Sequence, residues 1–155
     1  MFAVNQVSVR FATAEDMPAV LELIKELAAY ENASTEVKNS TAQLAEDGFG
    51  DNPAFECVVA ESASGVIGFA LFFTSYSTWK GKCLYLEDLC VNENYRRMGI
   101  GKKLFDFVLQ LAKERKMKRF SWQVLDWNVP AISFYKKYHS VLDPEWINGK
   151  IILED

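Results

Sequence analysis

This sequence predicts an α/β domain built on one mixed, mostly antiparallel central sheet flanked by helices. Three observations lead there: three consecutive β-rich segments in mid-chain, amphipathic helical patterns on both sides of them, and a strand pattern between the last two helices. Val7 to Phe11 alternates as a strand. Thr13 followed by Asp16 has the form of a capping box, opening a helix with Val20, Leu23, Ile24 and Leu27 on one face and an end near Tyr30. Ser40 with Gln43 offers a second capping pair, and Gly48 is the expected stop of that short helix. Phe55 to Glu61, Val66 to Thr74 and Cys83 to Val91 are rich in β-branched and aromatic residues, and Ser64-Gly65 marks a turn between the first two. From Gly101 the period changes: Leu104, Phe107, Val108 and Leu111 fall at helical spacing. Phe120 to Leu125 returns to a strand, Ala131 to Tyr138 to a helix, and a strand around Lys150 to Leu153 is expected to close the chain.

Composition bounds the function. The 155 residues are 50% hydrophobic, 14% aromatic and 25% charged, with no repeat or linker, so residues 1–155 are expected to form a single domain. The net charge of −4 lacks the basic footprint of a nucleic-acid binder and suits small cationic partners. The apolar run Val66 to Phe73 is too short for a membrane span, and the N-terminus does not pattern as a signal peptide, so no membrane association is expected. Cys57, Cys83 and Cys90 sit unpaired in apolar strand-like segments, which points to a reduced, cytoplasmic protein. His139 is the only histidine, making a histidine-based zinc site or a Ser-His-Asp triad a poor expectation; no metal is implied.

The most informative segment is Arg96-Arg97-Met98-Gly99-Ile100-Gly101, between a strand and a helix. Glycines there allow close approach of backbone to ligand, and free amides at a helix N-terminus attract phosphate oxygens. The segment lacks the Lys-Ser/Thr ending of a P-loop and the third glycine of a dinucleotide fingerprint. Taken alone, it serves equally well as a glycine turn that merely starts a helix. In the preceding strand, Glu87 and Asp88 interrupt an apolar run. Adjacent strand residues point to opposite faces, so the two acids share a pocket wall only if the strand bends or splays. A polar cavity explains them, and so does a strand end exposed to solvent. Downstream, Asn128 can cap the next helix with Pro130 in its first turn. Phe134 reads as core, whereas Tyr135 carries a phenol able to donate a proton to a departing thiolate.

R-x-x-G-x-G after an acidic strand, followed by the Asn128 to Tyr135 helix, resembles the GNAT superfamily of acetyl-CoA-dependent N-acetyltransferases. More narrowly, the chain resembles the spermidine/spermine and thialysine acetyltransferases from Val9 to about Trp146. The residues that carry this are Leu27-Ala-Ala-Tyr-Glu31, Asp47-Gly-Phe-Gly-Asp-Asn-Pro53, Ser77-Thr-Trp-Lys-Gly81, Tyr85-Leu-Glu-Asp88 and Leu125-Asp-Trp-Asn128. The resemblance implies a GNAT-like fold, acetyl-CoA as co-substrate and a homodimer. It implies that Leu89, Cys90 and Val91 offer backbone groups to the pantetheine arm. Arg96, Arg97, Met98, Gly99, Ile100, Gly101 and Lys102 would hold the pyrophosphate, and Asn128, Pro130 and Ala131 would line the far side. Tyr135 matches the family's general acid and Glu87 the acid that draws a proton from the amine, through water. Tyr30, Glu31, Trp79, Asp88, Trp122 and Gln123 match substrate-side positions, with Trp146 a further wall.

The chain also departs from the pattern. The polyamine enzymes carry an acidic residue two positions before the tryptophan matching Trp79, where this chain has Ser77, as the thialysine-type relatives do. Tyr138-His139-Ser140 replaces a small pair usual after the catalytic helix, and the segment up to Trp146 is shorter. The expectation is therefore acetyl transfer to a small cationic primary amine, thialysine- or lysine-like or a diamine. Spermidine or spermine acetylation is the rival substrate class, and a non-catalytic acyl-CoA-binding module the rival of another kind.

Overall fold

The computed structural model describes residues 6–153, which fall into two compact units divided between Trp122 and Gln123. The first begins with β1 (Ser8–Phe11) and α1 (Met17–Tyr30). The Thr13 amide donates to the Asp16 carboxylate at 2.8 Å, completing the expected cap, and Pro18 fits the first turn of α1, where its missing N–H is no loss. Arg10 grips both Asp16 oxygens at 2.8 and 3.0 Å and reaches Glu61 at 2.6 Å. That pairing, chiefly the Arg10 hydrogen bonds, holds the Asp16 carboxyl below its ordinary range.

Next comes α2 (Thr41–Phe49), capped by Ser40 Oγ accepting from the Gln43 amide at 3.1 Å. The helix does not stop at Gly48 but runs on to Gly50, whose amide donates to the Glu46 carbonyl. Gly48 has a packing role instead: a Cβ there would lie 2.5 Å from the Phe55 ring.

The strands β2 (Glu56–Ser62), β3 (Gly65–Ser77) and β4 (Gly81–Val91) form antiparallel hairpins, as their patterning predicts. After α3 (Ile100–Glu114), β5 (Phe120–Trp122) joins β4 in parallel. The sheet order is β1-β2-β3-β4-β5. This mixed, mostly antiparallel sheet with helices on its faces is the expected fold class. One face carries Cys57, Val59, Phe69, Leu71 and Cys90 against Met17, Val20 and Leu23 of α1 and Leu44 of α2. On the other, α3 presents Ile100, Leu104, Phe105 and Val108, all buried, and packs on β3 and β4. Gly68 lets that helix close in, since a Cβ there would meet Leu104 at 3.2 Å and the Cys90 carbonyl at 2.9 Å. Each fully buried Phe or Leu contributes roughly 1.5–3 kcal/mol of transfer free energy to this two-sided core.

Two expected strands come out differently. β5 ends at Trp122 and does not reach Leu125, because its partner is available only at Leu84 to Leu86, after which β4 loses its regular pleat. Lys150 to Leu153 forms no strand: among the described residues the second unit has α4 (Val129–Lys136) as its only regular element and so offers that segment no strand of its own to pair with.

Candidate active site

The irregularity of β4 makes the site. Leu71 pairs with Asp88 and Phe72 with Leu86, so Glu87 is left without a cross-strand partner, the two-against-one count of a β-bulge. Past the bulge the alternation is reset. Asp88 therefore shares a face with Tyr85 and Cys90, although strict alternation would set Tyr85 opposite. Glu87 itself is exposed and Asp88 half-buried.

Asp88 is the most perturbed carboxyl described: burial pushes it up to about 6, and the negative charges of Glu87 and Glu31 push in the same direction. Glu31 follows the last residue of α1, and burial raises its carboxyl too. The Tyr85 phenol is raised by burial and then by Glu87 and Asp88, while its ring lies 5.2 Å from that of Phe73. Asp88 is thus within electrostatic reach of both Glu87 on its own strand and Glu31 at the end of α1, far away in sequence. Carboxylates held together at such cost favour a cation among them.

Leu89, Cys90 and Val91 continue β4, paired with Ala70, Phe69 and Gly68. Among the described residues no strand covers the other edge of β4 beyond Leu86, so the peptide groups of this stretch that face away from β3 have no ladder. The Cys90 side chain is not part of that edge: its Sγ donates to the Leu23 carbonyl at 3.5 Å, and burial pushes the thiol up to about 12.

Next in sequence, Arg97 (φ 64°) and Gly99 (φ 77°) bend the chain left-handed into α3. The first-turn amides of a helix have no intrahelical acceptor, and here they face the end of that bend. A Cβ on Gly99 would meet nothing within 4 Å, and one on Gly101 only Val91 Cγ2 at 3.8 Å. Packing within the chain therefore does not require glycine at 101, and the space in front of it suits a group that comes close to backbone, as a pyrophosphate does. Two of the expected phosphate cations are already engaged. Lys102 pairs with Asp106, and Arg96 with Glu26 at 3.8 Å and over the Tyr30 ring at 5.1 Å. Met98 and Ile100 contribute backbone to the same bend, and the Ile100 side chain is buried.

Some expected substrate-side residues lie elsewhere in the first unit. Trp79 is 91% exposed at the β3–β4 hairpin tip, where Ser77 Oγ accepts from the amides of Trp79 and Lys80 at 3.3 and 3.2 Å. Trp122 packs edge-on against Phe105 and Phe120, at 5.3 and 5.6 Å, on the α3 side of the sheet. Glu26 had no motif to reveal it. Its carboxylate accepts from Asn92 Nδ2 at 3.1 Å and from the Glu93 amide at 2.7 Å, partners 66 and 67 positions away in sequence.

In the second unit, Asn128 Oδ1 caps α4 by accepting from the Ala131 amide at 3.3 Å, with Pro130 in the first turn. Tyr135 is 8% exposed, with its ring 5.3 Å from that of Phe134, and its carbonyl accepts from Ser140 Oγ at 2.8 Å. Ser140, part of the unusual Tyr138-His139-Ser140 segment, therefore secures the end of the helix bearing Tyr135. Gln123 donates to Asn148 Oδ1 at 2.8 Å, and Trp146 is exposed.

Comparison with known proteins identifies the family. Residues 19–140 match the acetyltransferase (GNAT) family. The thialysine N-epsilon-acetyltransferase of Bos taurus is 44% identical over 138 residues, 84% of this chain and 81% of that protein. The spermidine/spermine N(1)-acetyltransferase-like protein 1 of Homo sapiens is 40% identical over 82% of this chain, which spans only 19% of that longer protein. Among solved structures, an aminoglycoside acetyltransferase from an uncultured soil metagenome superposes with a TM-score of 0.78 at 20% identity, covering 97% of this chain and 98% of its own. That likeness speaks for the fold, and the sequence matches go further. This chain belongs to the GNAT family of acetyl-CoA-dependent N-acetyltransferases.

Proposed function

We propose that this protein transfers acetyl from acetyl-CoA to the side-chain amine of a small cationic amino acid, thialysine or a lysine-like analogue, by direct transfer in a ternary complex. The observation that carries the reading is Asp88, at the bulge of β4, within electrostatic reach of Glu87 beside it and of Glu31 at the end of α1, next to the uncovered edge that leads into the glycine-turned start of α3. The carboxylates attract an ammonium, and the edge and helix start suit the thioester arm and pyrophosphate.

A lysine-like ammonium has a pKa near 10.4 and is almost wholly protonated at neutral pH, so it must lose a proton before it attacks. In this reading Glu87, exposed to solvent, takes that proton through water, while Asp88 and Glu31 hold the cation. Tyr30, Trp79, Trp122, Gln123 and Trp146 stay assigned to the amine side on resemblance alone. A backbone amide of Leu89, Cys90 or Val91 stabilises the oxyanion formed as nitrogen attacks the carbonyl carbon. Tyr135, assigned on resemblance alone, protonates the sulfur as the C–S bond breaks. Arg97, Met98, Gly99, Ile100, Gly101 and Lys102 bind the pyrophosphate mainly through backbone, and Asn128, Pro130 and Ala131 line the far side.

Ser77 favours the short substrate, because no carboxylate stands there to take a distal ammonium. The three acids that remain support spermidine or spermine as the second reading. Release of coenzyme A thiol, measured with thialysine, lysine, spermidine, spermine and a short diamine against a no-amine blank, decides. The highest kcat/KM with thialysine is expected. A clear spermidine or spermine preference overturns the substrate assignment, and acetyl-CoA binding without release for any amine makes the protein a binding module.

A further inference from the structure

Glu26 belongs to no motif, yet its carboxylate meets three groups of the segment between β4 and α3. Oε2 accepts from Asn92 Nδ2 at 3.1 Å, Oε1 accepts from the Glu93 amide at 2.7 Å, and Oε1 also stands 3.8 Å from the Arg96 guanidinium. Arg96 in turn donates from Nε to the Val91 carbonyl at 3.3 Å, with its Cζ 5.1 Å from the centre of the Tyr30 ring. Asn92, Glu93 and Arg96 form the link between β4 and the glycine bend, while Glu26 and Tyr30 lie one turn apart on α1. Arg96 therefore touches two successive turns of the helix whose end carries Tyr30 and Glu31.

An isolated exposed ion pair would contribute little, and the Arg96 side chain is 41% exposed. The Glu26 side chain is only 24% exposed, and its two bonds to neutral donors are charge-assisted, so the anchoring does not depend on Arg96 alone. The arrangement also has a direction. An anion that reached the Arg96 guanidinium from the bend would compete with Glu26 for it, and any shift of Arg96 would alter what lies over Tyr30.

We propose that Glu26 is a positioning residue that ties the last turn of α1 to the loop entering α3, so that occupancy of residues 97–102 and the state of Tyr30 and Glu31 respond to each other. The assignment of those two ends to coenzyme A and amine rests on the function proposed above. Linkage makes the response reciprocal: each ligand changes the affinity of the other by the same factor.

Amide hydrogen exchange tests this without turnover, with coenzyme A as the probe. The amides of Glu31 and Ala33, bonded to the carbonyls of Leu27 and Ala28, report on the end of α1. Saturating coenzyme A is expected to change their exchange rates by about 5-fold or more in the wild type, and by less than about 2-fold in Glu26→Gln and Glu26→Ala. An equal change in all three proteins, or none in a wild type shown to bind coenzyme A, overturns the proposal. Kinetics supplies the second readout. In the wild type the amine KM shifts between sub-saturating and saturating acetyl-CoA, and in Glu26→Gln that shift disappears. A uniform fall in kcat with the shift intact marks Glu26 as merely structural and also overturns it. A wild type that shows the exchange response but no amine-dependent thiol release refutes the transferase reading and leaves the coupling standing.

Discussion

Asp88 shows how one residue sets a pH dependence. Its carboxyl titrates near 6 in the folded protein against an ordinary 3.8, so the fold favours the protonated form. The stability this contributes is fully present below about pH 3.8 and is lost as pH rises through about 6. Asp88→Asn is therefore expected to raise stability by about 1–3 kcal/mol at pH 8, with the gain vanishing below pH 4. Denaturant unfolding at the two pH values checks it, and a gain of equal size at both would show that the charge is not the cause. The amine KM of the same variant should rise. Tyr135 is a different case, because its proposed role is chemical rather than electrostatic. Tyr135→Phe keeps the ring and its contact with Phe134 while removing the donor. Its kcat is expected to fall by about 10²- to 10⁴-fold with acetyl-CoA affinity little changed, and unaltered turnover would take Tyr135 out of the acid role.

At the level of elements, the bulge in β4 and the glycine start of α3 do most to define the site. Glu87 and Asp88 stand out in sequence as acids in an apolar strand. The bulge at that point, which sets Asp88 on the face of Tyr85 and Cys90, depends on the register with β3, which local sequence does not encode. Gly101 offers a clean separation of fold from function. Alanine there meets only Val91 at 3.8 Å and has the better helix propensity, so Gly101→Ala should gain up to about 0.5–1 kcal/mol in stability. If pyrophosphate approaches that backbone, the same substitution should weaken acetyl-CoA binding by about 10-fold or more, against the direction of the stability change. Calorimetric unfolding and titration on one preparation test both halves. Undiminished affinity would move the pyrophosphate away from Gly101. Gly48 carries the opposite lesson: it reads as a helix stop, but Phe55, which arrives seven positions later, makes it a packing residue.

For the molecule as a whole, the sequence by itself determined the fold class, the order of elements as far as α4 and the motif that identifies the family. These rest on period, capping and turn chemistry, which act over a few residues: Thr13 with Asp16, Ser40, the helical spacing from Leu104 to Leu111, and Asn128 before α4. It also singled out Glu31, Glu87 and Asp88 one by one. Only the tertiary structure decided which of the candidates lie near one another. Glu31 reaches Asp88 because α1 packs across β4, Arg96 is drawn to Glu26 and Tyr30, and Trp122 turns into the aromatic cluster around Phe105. The short β5 and the absence of a strand at Lys150 to Leu153 belong with these, since a strand exists only where another chain segment offers it an edge. The reason is common to all of them. Burial, electrostatic coupling and ladder pairing are properties of contacts between distant segments, and residue patterns along the chain specify those contacts only through the fold.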